Sequence, residues 1–366
     1  MTKKTPLFNK HIKAKAKIID FHGWSMPINY GSQISEHEEV RRGCGVFDVS
    51  HMTIVDFKGP DARNFIRELI ANDVDNLKED YDGMYSAMLN ENAGVIDDLI
   101  AYKMHFGYRL VVNCGRSKED LKWISSYSSN FNVEIIERED LAMISVQGPK
   151  SLGILNELGL AALDSKKRHQ GAYKDKVLAV KTGYTGEKGF EVILPNDQSE
   201  MFWEKTLKAG VRPIGLAARD TLRLEAGMNL YGFEMDDSIS PLECNMAWTV
   251  SWLDKERDFI GKDALLKKIE VDSHNELVGI MLNERTILRQ GQKLYLDEEK
   301  QLEGVVTSGT YSPTLKKPIA LARLPRKNKK ICFTEARGKL IQAKIGSPKF
   351  INEGKEVFKE KNDRLN

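Results

Sequence analysis

Two adjacent acids, Asp97 and Asp98, lie within a segment that alternates like a β-strand over residues 95–104. Because neighbouring side chains of a strand point to opposite faces, the two carboxylates do not form a catalytic pair. The face of Asp98 is the more apolar one, and its other members are Ile96, Ile100, Tyr102 and Met104. A carboxylate there is partly desolvated and is able to accept a proton or a strong hydrogen bond from a ligand. The alternative, two solvated acids at a strand end, is the one that the pattern alone favours, because perturbed carboxylates are often only structural.

A third acid, Glu191, ends a glycine-rich hairpin that contains Gly183, Gly186 and Gly189. Glycines allow a backbone to approach a ligand closely. Glu191 shares its strand face with Ile193, so its carboxylate is able to point inward and to accept two adjacent N–H donors of a planar heterocycle. The stretch is neither a phosphate-binding loop nor a dinucleotide fingerprint. An ordinary hairpin with a solvent-facing acid is the alternative.

A basic candidate, Arg219, lies in a predicted helix over residues 217–226. Its neighbour one turn on is Arg223, which repels it, and Asp220 is adjacent in sequence and does not face it. We therefore expect Arg219 to find a partner elsewhere, either a ligand or Glu191. A solvated helix face is the alternative.

The composition is that of an ordinary globular protein, with 41% hydrophobic and 30% charged residues. The net charge is +2, from 55 basic and 53 acidic residues. This is not the excess of basic residues that nucleic-acid binding requires, so no nucleic-acid partner is predicted. No apolar run approaches the roughly 18 residues of a membrane span. The N-terminus lacks the apolar region of a secretory signal. We expect a cytoplasmic enzyme without membrane contact.

The cysteines are far apart and form no Cys-x-x-Cys pair; they are Cys44, Cys114, Cys244 and Cys332. The seven histidines do not cluster either. Zinc and redox sites therefore have little support, and we expect reduced, mostly buried thiols and no metal.

Alternating helices and strands must position these candidates. Helices are predicted at 33–42, after Asp61, from Ser117 to Ser126 behind a capping box, at 198–209 and at 217–226. Strands are predicted at 52–57, 85–89, 95–104, 108–113 and 141–147. After about residue 270 short strands dominate, at 277–282, 304–307 and 319–324. A chain of 366 residues is expected to form two or three domains. The change to short strands predicts that the last domain is an all-β barrel or sandwich.

Six segments, in order along nearly the whole chain, resemble the T-protein family of the glycine cleavage system. They are FHGWSMP at 21–27, VFDVSHM at 46–52, NENAGVIDDLI at 90–100, GYTGEKGFE at 183–191, GLAARDTLRLEAG at 215–227 and TSGTYSP at 307–313. Each segment alone is modest evidence for the family, whereas the six segments in this order are a highly specific match.

The resemblance implies an α+β fold: the multidomain folate-binding aminomethyltransferase fold, cloverleaf-like with three domains. Residues 1–270 would form two interleaved α+β domains, and residues 271–366 a C-terminal β-barrel domain. It also implies the reaction. The lipoyl arm of H-protein carries an aminomethyl group, and its carbon is transferred to tetrahydrofolate. The products are 5,10-methylenetetrahydrofolate, ammonia and dihydrolipoyl H-protein. Tetrahydrofolate is a cosubstrate, and neither a metal nor a flavin is implied.

The resemblance also carries residue roles. The essential aspartate of the family lies in its Asp-Asp-Leu motif. The face argument assigns it to Asp98, although the motif alone leaves Asp97 open. The proposed role is to orient, and make more nucleophilic, the folate nitrogen that attacks the aminomethyl carbon. Glu191 matches the glutamate that holds the pterin edge, and Arg219 the arginine near it.

Four further positions match residues of the folate pocket. Tyr85 and Tyr102 match its aromatic positions, and Met52 and Met228 line the same channel. Some relatives have a tyrosine at the position of Met228. A basic residue between positions 349 and 355 would contact the folate tail.

The resemblance gives no catalytic role to His22 or His51, and we expect structural histidines there. Trp24 and Trp248 are expected to be core residues.

Three rival functions remain at this point. Sarcosine- and dimethylglycine-oxidising relatives usually carry a flavin-binding domain, and no dinucleotide fingerprint is present. Non-catalytic folate-binding relatives that support iron–sulfur assembly carry a cysteine in their Lys-Gly-Cys-Tyr motif, where this chain has Thr182-Gly183-Tyr184. A binding or scaffold protein that has lost its activity is the third, and the retained acids and arginine speak against it.

Overall fold

The computed structural model describes residues 2–361 except 273 and 337. The α-helices are α1 (Phe8–Lys13), α2 (Gln33–Arg42), α3 (Ala62–Leu69), α4 (Ser117–Tyr127), α5 (Asn196–Lys208), α6 (Leu216–Glu225) and α7 (Lys262–Val271). The first strands are β1 (Lys17–Phe21), β2 (Trp24–Asn29), β3 (Gly45–Asp48), β4 (Thr53–Lys58), β5 (Gly83–Leu89), β6 (Val95–Met104) and β7 (Gly107–Val112). Then follow β8 (Glu134–Glu137), β9 (Leu141–Gln147), β10 (Gly171–Lys174), β11 (Val177–Val180), β12 (Gly189–Pro195) and β13 (Arg212–Pro213). The remaining strands are β14 (Asn275–Met281), β15 (Lys293–Tyr295), β16 (Glu303–Ser312), β17 (Lys317–Pro325), β18 (Ile331–Ala336), β19 (Lys339–Gly346), β20 (Ile351–Asn352) and β21 (Lys355–Glu356).

A five-stranded sheet with the order β5-β6-β7-β4-β8 carries the two adjacent acids. All its pairs are antiparallel, and Asp98 lies opposite Ala87, just before the register shifts at a bulge between Met88 and Leu89. Helices α3 and α4 cover one face, where Phe65 and Ile124 belong to the same core as the strands. Alternation therefore turns one face of β6 toward these helices and the other toward the rest of the molecule.

A six-stranded sheet with the order β10-β11-β12-β9-β3-β13 packs on that other face. The chain leaves this sheet after β3, builds the five-stranded sheet with β4 to β8, and returns with β9, so the two sheets are interleaved in sequence. Buried side chains from both sheets, such as Val111 and Ile193, form the core between them. Helix α5 covers the outer face with Phe202 and Trp203.

The C-terminal strands close into a six-stranded barrel with the order β14-β17-β16-β15-β18-β19. Its interior is filled by buried aliphatic side chains, including Val278, Leu294 and Ile345. The predicted fold class, mixed helix and sheet with a C-terminal barrel, is confirmed. The boundary at residues 270 and 271 stays a prediction, and residues 362–366 of the predicted module lie outside the described part.

Helix α6 joins the barrel to the two sheets through buried ion pairs and hydrogen bonds. The carboxylate of Glu225 accepts from Arg41 of α2 at 2.7 Å and from the hydroxyls of Ser312 and Thr314 at 2.5 and 2.8 Å. Burial opposes the ionisation of Glu225. The interactions with His37 and Arg41 outweigh burial and lower the pKa of Glu225 to about 2. Arg223 donates to Ser308 of the barrel at 2.9 Å.

Two expected helix caps differ from the structure. Helix α4 begins at Ser117 itself, and the preceding Arg116 makes no side-chain cap, so the predicted capping box is wrong. Asp61 does precede α3, but its carboxylate accepts from the backbone N–H of Asn132 instead of capping the helix. At Asp61 a hydrogen bond to a distant segment thus takes the place of the local cap.

No helix in the described chain is long and apolar enough to cross a membrane. The cysteines are free, and all are buried except the partly exposed Cys114. Among residues 2–361, leaving out 273 and 337, no group of His, Cys, Asp and Glu side chains is arranged to hold a metal ion.

Candidate active site

A cavity of about 240 Å³ lies between the two sheets, below the segment that follows α6. Six of the seven residues predicted for the site line it: Met52, Tyr85, Asp98, Glu191, Arg219 and Met228. They come from strands β5, β6 and β12, from helix α6 and from two connecting segments. The interleaved chain path thus brings positions far apart in sequence to one cavity.

Tyr102, the seventh, does not line the cavity. Its side chain is 1% exposed and belongs to the core between the sheets. The ring packs against the backbone of Gly83, where a Cβ would come within 2.7 Å of the ring. Burial, reinforced by the charge of Glu191, raises the pKa of Tyr102 well above its usual value, so the hydroxyl stays protonated behind the cavity wall.

The carboxylate of Asp98 is held by two donors. Its Oδ2 accepts from the Tyr85 hydroxyl at 2.7 Å, and its Oδ1 accepts from Nδ2 of Asn113 at 2.9 Å. Burial raises the pKa of Asp98, while the hydrogen bonds from Tyr85 and Asn113 and the charge of Arg219 oppose the rise. A carboxylate with a raised pKa, fixed by two hydrogen bonds and facing a cavity, is suited to accept a proton from a bound ligand.

Asp97 faces away from the cavity, toward α4, but it is not the solvated acid that the strand pattern favoured. Its side chain is fully buried, and it accepts hydrogen bonds from the backbone N–H and from Nδ2 of Asn113, both at 2.8 Å. Burial and the charge of Asp98 raise the pKa of Asp97 to about 7. Nδ2 of Asn113 therefore bridges the two carboxylates from the end of β7.

Glu191 lies at the opposite wall, on the face of β12 that turns toward the cavity. Its side chain is 9% exposed, and Ser145 of the neighbouring strand β9 donates to it at 3.3 Å. Burial raises the pKa of Glu191, while the charge of Arg219 and the Ser145 hydrogen bond oppose the rise. A carboxylate with one weak protein donor retains capacity for a ligand with N–H groups.

Two glycines of the hairpin before β12 make room for a side chain of the protein. A Cβ at Gly183 would stand 1.9 Å from Oε1 of Gln147, and one at Gly189 would stand 2.4 Å from its Nε2. The Gln147 amide in turn donates to the carbonyl of Thr182 at 3.0 Å. Packing of Gln147 thus accounts for these glycines, although Gly183 also lines the cavity.

Arg219 supplies a positive charge between the two acids. Its guanidinium lies 4.2 Å from the centre of the Tyr184 ring, and within the described residues it forms no ion pair with a carboxylate. Among the described residues, Arg219 therefore does not form the expected direct ion pair with Glu191. Its charge nevertheless opposes the rise in pKa of both Glu191 and Asp98. The cation–π contact leaves the guanidinium donors free to bind a ligand.

Residues missed from the sequence complete the cavity wall. Asn113 follows the end of β7, and Tyr184 lies in the glycine-rich hairpin. Trp248 was expected in the core, which is wrong: it is 68% exposed, lines the cavity and tilts toward the Tyr85 ring at a centroid distance of 6.0 Å. It lies in a short 3₁₀ turn, where no periodic pattern assigns a face.

The two histidines and the other tryptophan lie outside the cavity lining. His51 is buried, and its pKa is lowered to about 3 by burial and by the charge of Arg219, so its ring is neutral. His22 is exposed. Trp24 is only half-buried, with Nζ of Lys3 at 5.4 Å from its ring, so the expected core position is wrong here too.

Known proteins match the chain along nearly its whole length. Residues 7–255 match the GCVT N-terminal domain, and residues 275–352 match the glycine cleavage T-protein C-terminal barrel domain. The crystal structure of glycine cleavage system aminomethyltransferase T from Bartonella henselae has 33% identity and a TM-score of 0.90, covering 98% of this chain and 100% of that one. A heterotetrameric sarcosine oxidase from Corynebacterium sp. U-96 covers 60% of this chain and 96% of its own at 8% identity and a TM-score of 0.36, too distant to carry an argument. With both domains matched in order along the chain, and with the acid-lined cavity in the first of them, this chain belongs to the glycine cleavage T-protein family.

Proposed function

We propose that the chain is a tetrahydrofolate-dependent aminomethyltransferase that acts in the cytoplasm on lipoylated H-protein. One observation carries the proposal: a single cavity holds the Tyr85–Asp98–Asn113 cluster on one wall and Glu191 on the other. A folate presents N–H donors at its pterin edge and a nucleophilic nitrogen several atoms away, and two separated carboxylates match those two needs.

In this proposal Glu191 binds and orients the pterin. Its carboxylate accepts from adjacent ring N–H groups, which have no solvent to compete with them because the side chain is 9% exposed. The charge of Arg219 favours the ionised form of Glu191 against burial, which raises its pKa, and the guanidinium is free to donate to an oxygen of the same ring. Met52 and Met228 provide apolar contact from the cavity wall.

Asp98 then acts at the reacting nitrogen. At the transferred carbon, the bonds to sulfur and to the amino group break, and bonds to two folate nitrogens form. The two protons released by those nitrogens end on the thiol and on ammonia, so atoms and charge balance. Asp98 accepts the proton of the attacking nitrogen, while Tyr85 and Asn113 hold the carboxylate in place at 2.7 and 2.9 Å. Help of this kind is typically worth about 10²–10⁴-fold in rate.

The decisive experiment loads the lipoyl arm of H-protein with methylamine and adds tetrahydrofolate and this protein. We expect methylenetetrahydrofolate and ammonia to form in equal amounts. Reactions without the protein provide the background, and reactions with Asp98→Asn test the site. If no product forms above the background although folate binds, the chain is a folate-binding relative without transferase activity, and the proposal is refuted.

A further inference from the structure

A buried acid on α4, Asp120, lies against Asp97 on the side of β6 that faces away from the cavity. Its side chain is 0% exposed, and within the described residues neither of its oxygens accepts a hydrogen bond from a protein donor. The polar group within hydrogen-bonding reach is the carboxyl of Asp97. Two buried acids in contact require a proton, because like charges so close cannot both be ionised.

The distribution of donors shows which acid holds that proton. Asp97 already accepts two hydrogen bonds from Asn113, and Asp98 accepts one from Asn113 and one from Tyr85. Asp120 accepts none. A buried carboxylate without a donor is strongly unfavourable, whereas a neutral carboxylic acid in the same place donates to Asp97 and is satisfied.

The balance of burial and charge around the pair favours the same assignment. The charge of Arg116, whose guanidinium lies over the Tyr231 ring at 5.1 Å, lowers the pKa of Asp120 and so opposes the protonated form. Glu119, the neighbour on α4, is exposed and adds negative charge. Burial and the charge of Asp97 raise the pKa of Asp120 to about 10.

On the Asp97 side, the remaining titratable neighbours are Asp98, whose charge raises the pKa of Asp97, and Cys114 and Tyr231. Burial raises the pKa of the Cys114 thiol to about 11 and the pKa of the Tyr231 hydroxyl well above its usual value. Arg219 acts on Asp98 from within the cavity. When the two acids share one proton, that proton therefore resides on Asp120, whose pKa is about 10, and Asp97, whose pKa is about 7, is the acceptor.

We propose that Asp120 is a positioning residue for the transferase site: as a neutral acid it donates to Asp97, which orients Asn113 so that its amide donates to Asp98. The amide of asparagine has two nearly isosteric ends, and a fixed acceptor determines which end faces Asp98. One Nδ2 hydrogen goes to Asp97 and the other to Asp98, at 2.8 and 2.9 Å. This role rests on the proposed function, because Asp98 must act on a ligand for its orientation to matter.

Two substitutions separate this role from simple packing. Asp120→Asn keeps a donor toward Asp97, so we expect kcat within about threefold of the unsubstituted protein. Asp120→Leu keeps the approximate size and removes the donor, so we expect kcat to fall by about 10- to 100-fold, the usual worth of a hydrogen bond to a charged group. KM for tetrahydrofolate should change little, because Glu191 is untouched. Lys122→Leu, on the exposed face of the same helix, is the control and should leave both constants unchanged.

An infrared measurement tests the proton without any turnover. At a pH between the pKa of Asp97, about 7, and that of Asp120, about 10, the protein should show a carbonyl stretch of a protonated carboxylic acid, and Asp120→Asn should remove it. Retention of that band in Asp120→Asn, or equal losses of kcat in Asp120→Asn and Asp120→Leu, would overturn the proposal. If Asp120→Leu does not fold, the infrared comparison still decides. If the unsubstituted protein proves to have no transferase activity, that failure concerns the proposed function, and the band still reports whether Asp120 holds the proton.

Discussion

The hydroxyl of Tyr85 offers the sharpest test of how the cavity tunes Asp98. Tyr85→Phe keeps the ring and removes one of the two donors to the carboxylate. A hydrogen bond to a charged group is worth roughly 1.5–3 kcal/mol, and one pKa unit corresponds to about 1.4 kcal/mol. Because the Tyr85 hydrogen bond lowers the pKa of Asp98, its removal raises that pKa by about 1–2 units.

The sign of the effect on activity follows from the role of Asp98 as a base. The carboxyl must be ionised to accept a proton, so a higher pKa moves the acidic limb of the kcat/KM profile toward higher pH. We expect a shift of about 1–2 pH units in methylenetetrahydrofolate formation, with activity largely recovered above the new limb. Tyr127→Phe is the matched control, since its hydroxyl also donates to a carboxylate, that of the exposed Glu91.

An unchanged acidic limb in Tyr85→Phe would refute this reasoning, because it would mean that the Tyr85 hydrogen bond does not set the ionisation on which the reaction depends. If activity also fell equally at every pH, the hydroxyl would serve orientation alone.

Three further outcomes are expected. Asp98→Asn should abolish most transfer while folate still binds by calorimetry, and near-normal turnover in Asp98→Asn together with loss in Asp97→Asn would show that the essential acid is the other one. Glu191→Ala should weaken folate affinity, whereas the exposed Glu137→Ala should not; equal affinities by calorimetry would remove Glu191 from the binding site. Folate binding should change tryptophan fluorescence, and Trp248→Phe should eliminate most of that change, because this ring lines the cavity; a full signal in Trp248→Phe would show that the ring does not meet the ligand.

Strand alternation was enough to predict which way several side chains face. It separated Asp97 from Asp98 and turned Asp98 toward the apolar side, where the structure has the cavity. The same rule turned Glu191 inward with Ile193. Face assignments of this kind depend only on a period of two residues, which is visible in a single sequence.

Other features depend on contacts between segments that the sequence separates widely. Asp97 looked like a solvated acid because its burial comes from α4, which carries Asp120, and from the end of β7. Tyr102 shares a face with Asp98, yet the second sheet packs against it and leaves it behind the cavity wall. Trp248 is in a turn without periodicity, so nothing local indicated that it faces a cavity.

The links between α6 and the barrel have a consequence for how such a chain can be shortened or recombined. Glu225 and Arg223, in the last turn of the cavity helix, are hydrogen-bonded to Ser312 and Ser308 of β16. A chain that ended before the barrel would lose these partners and leave two buried charged groups of the helix with fewer hydrogen bonds. The barrel therefore cannot be exchanged between relatives independently of helix α6. An exchanged barrel would have to provide the serines of β16 that bind this helix.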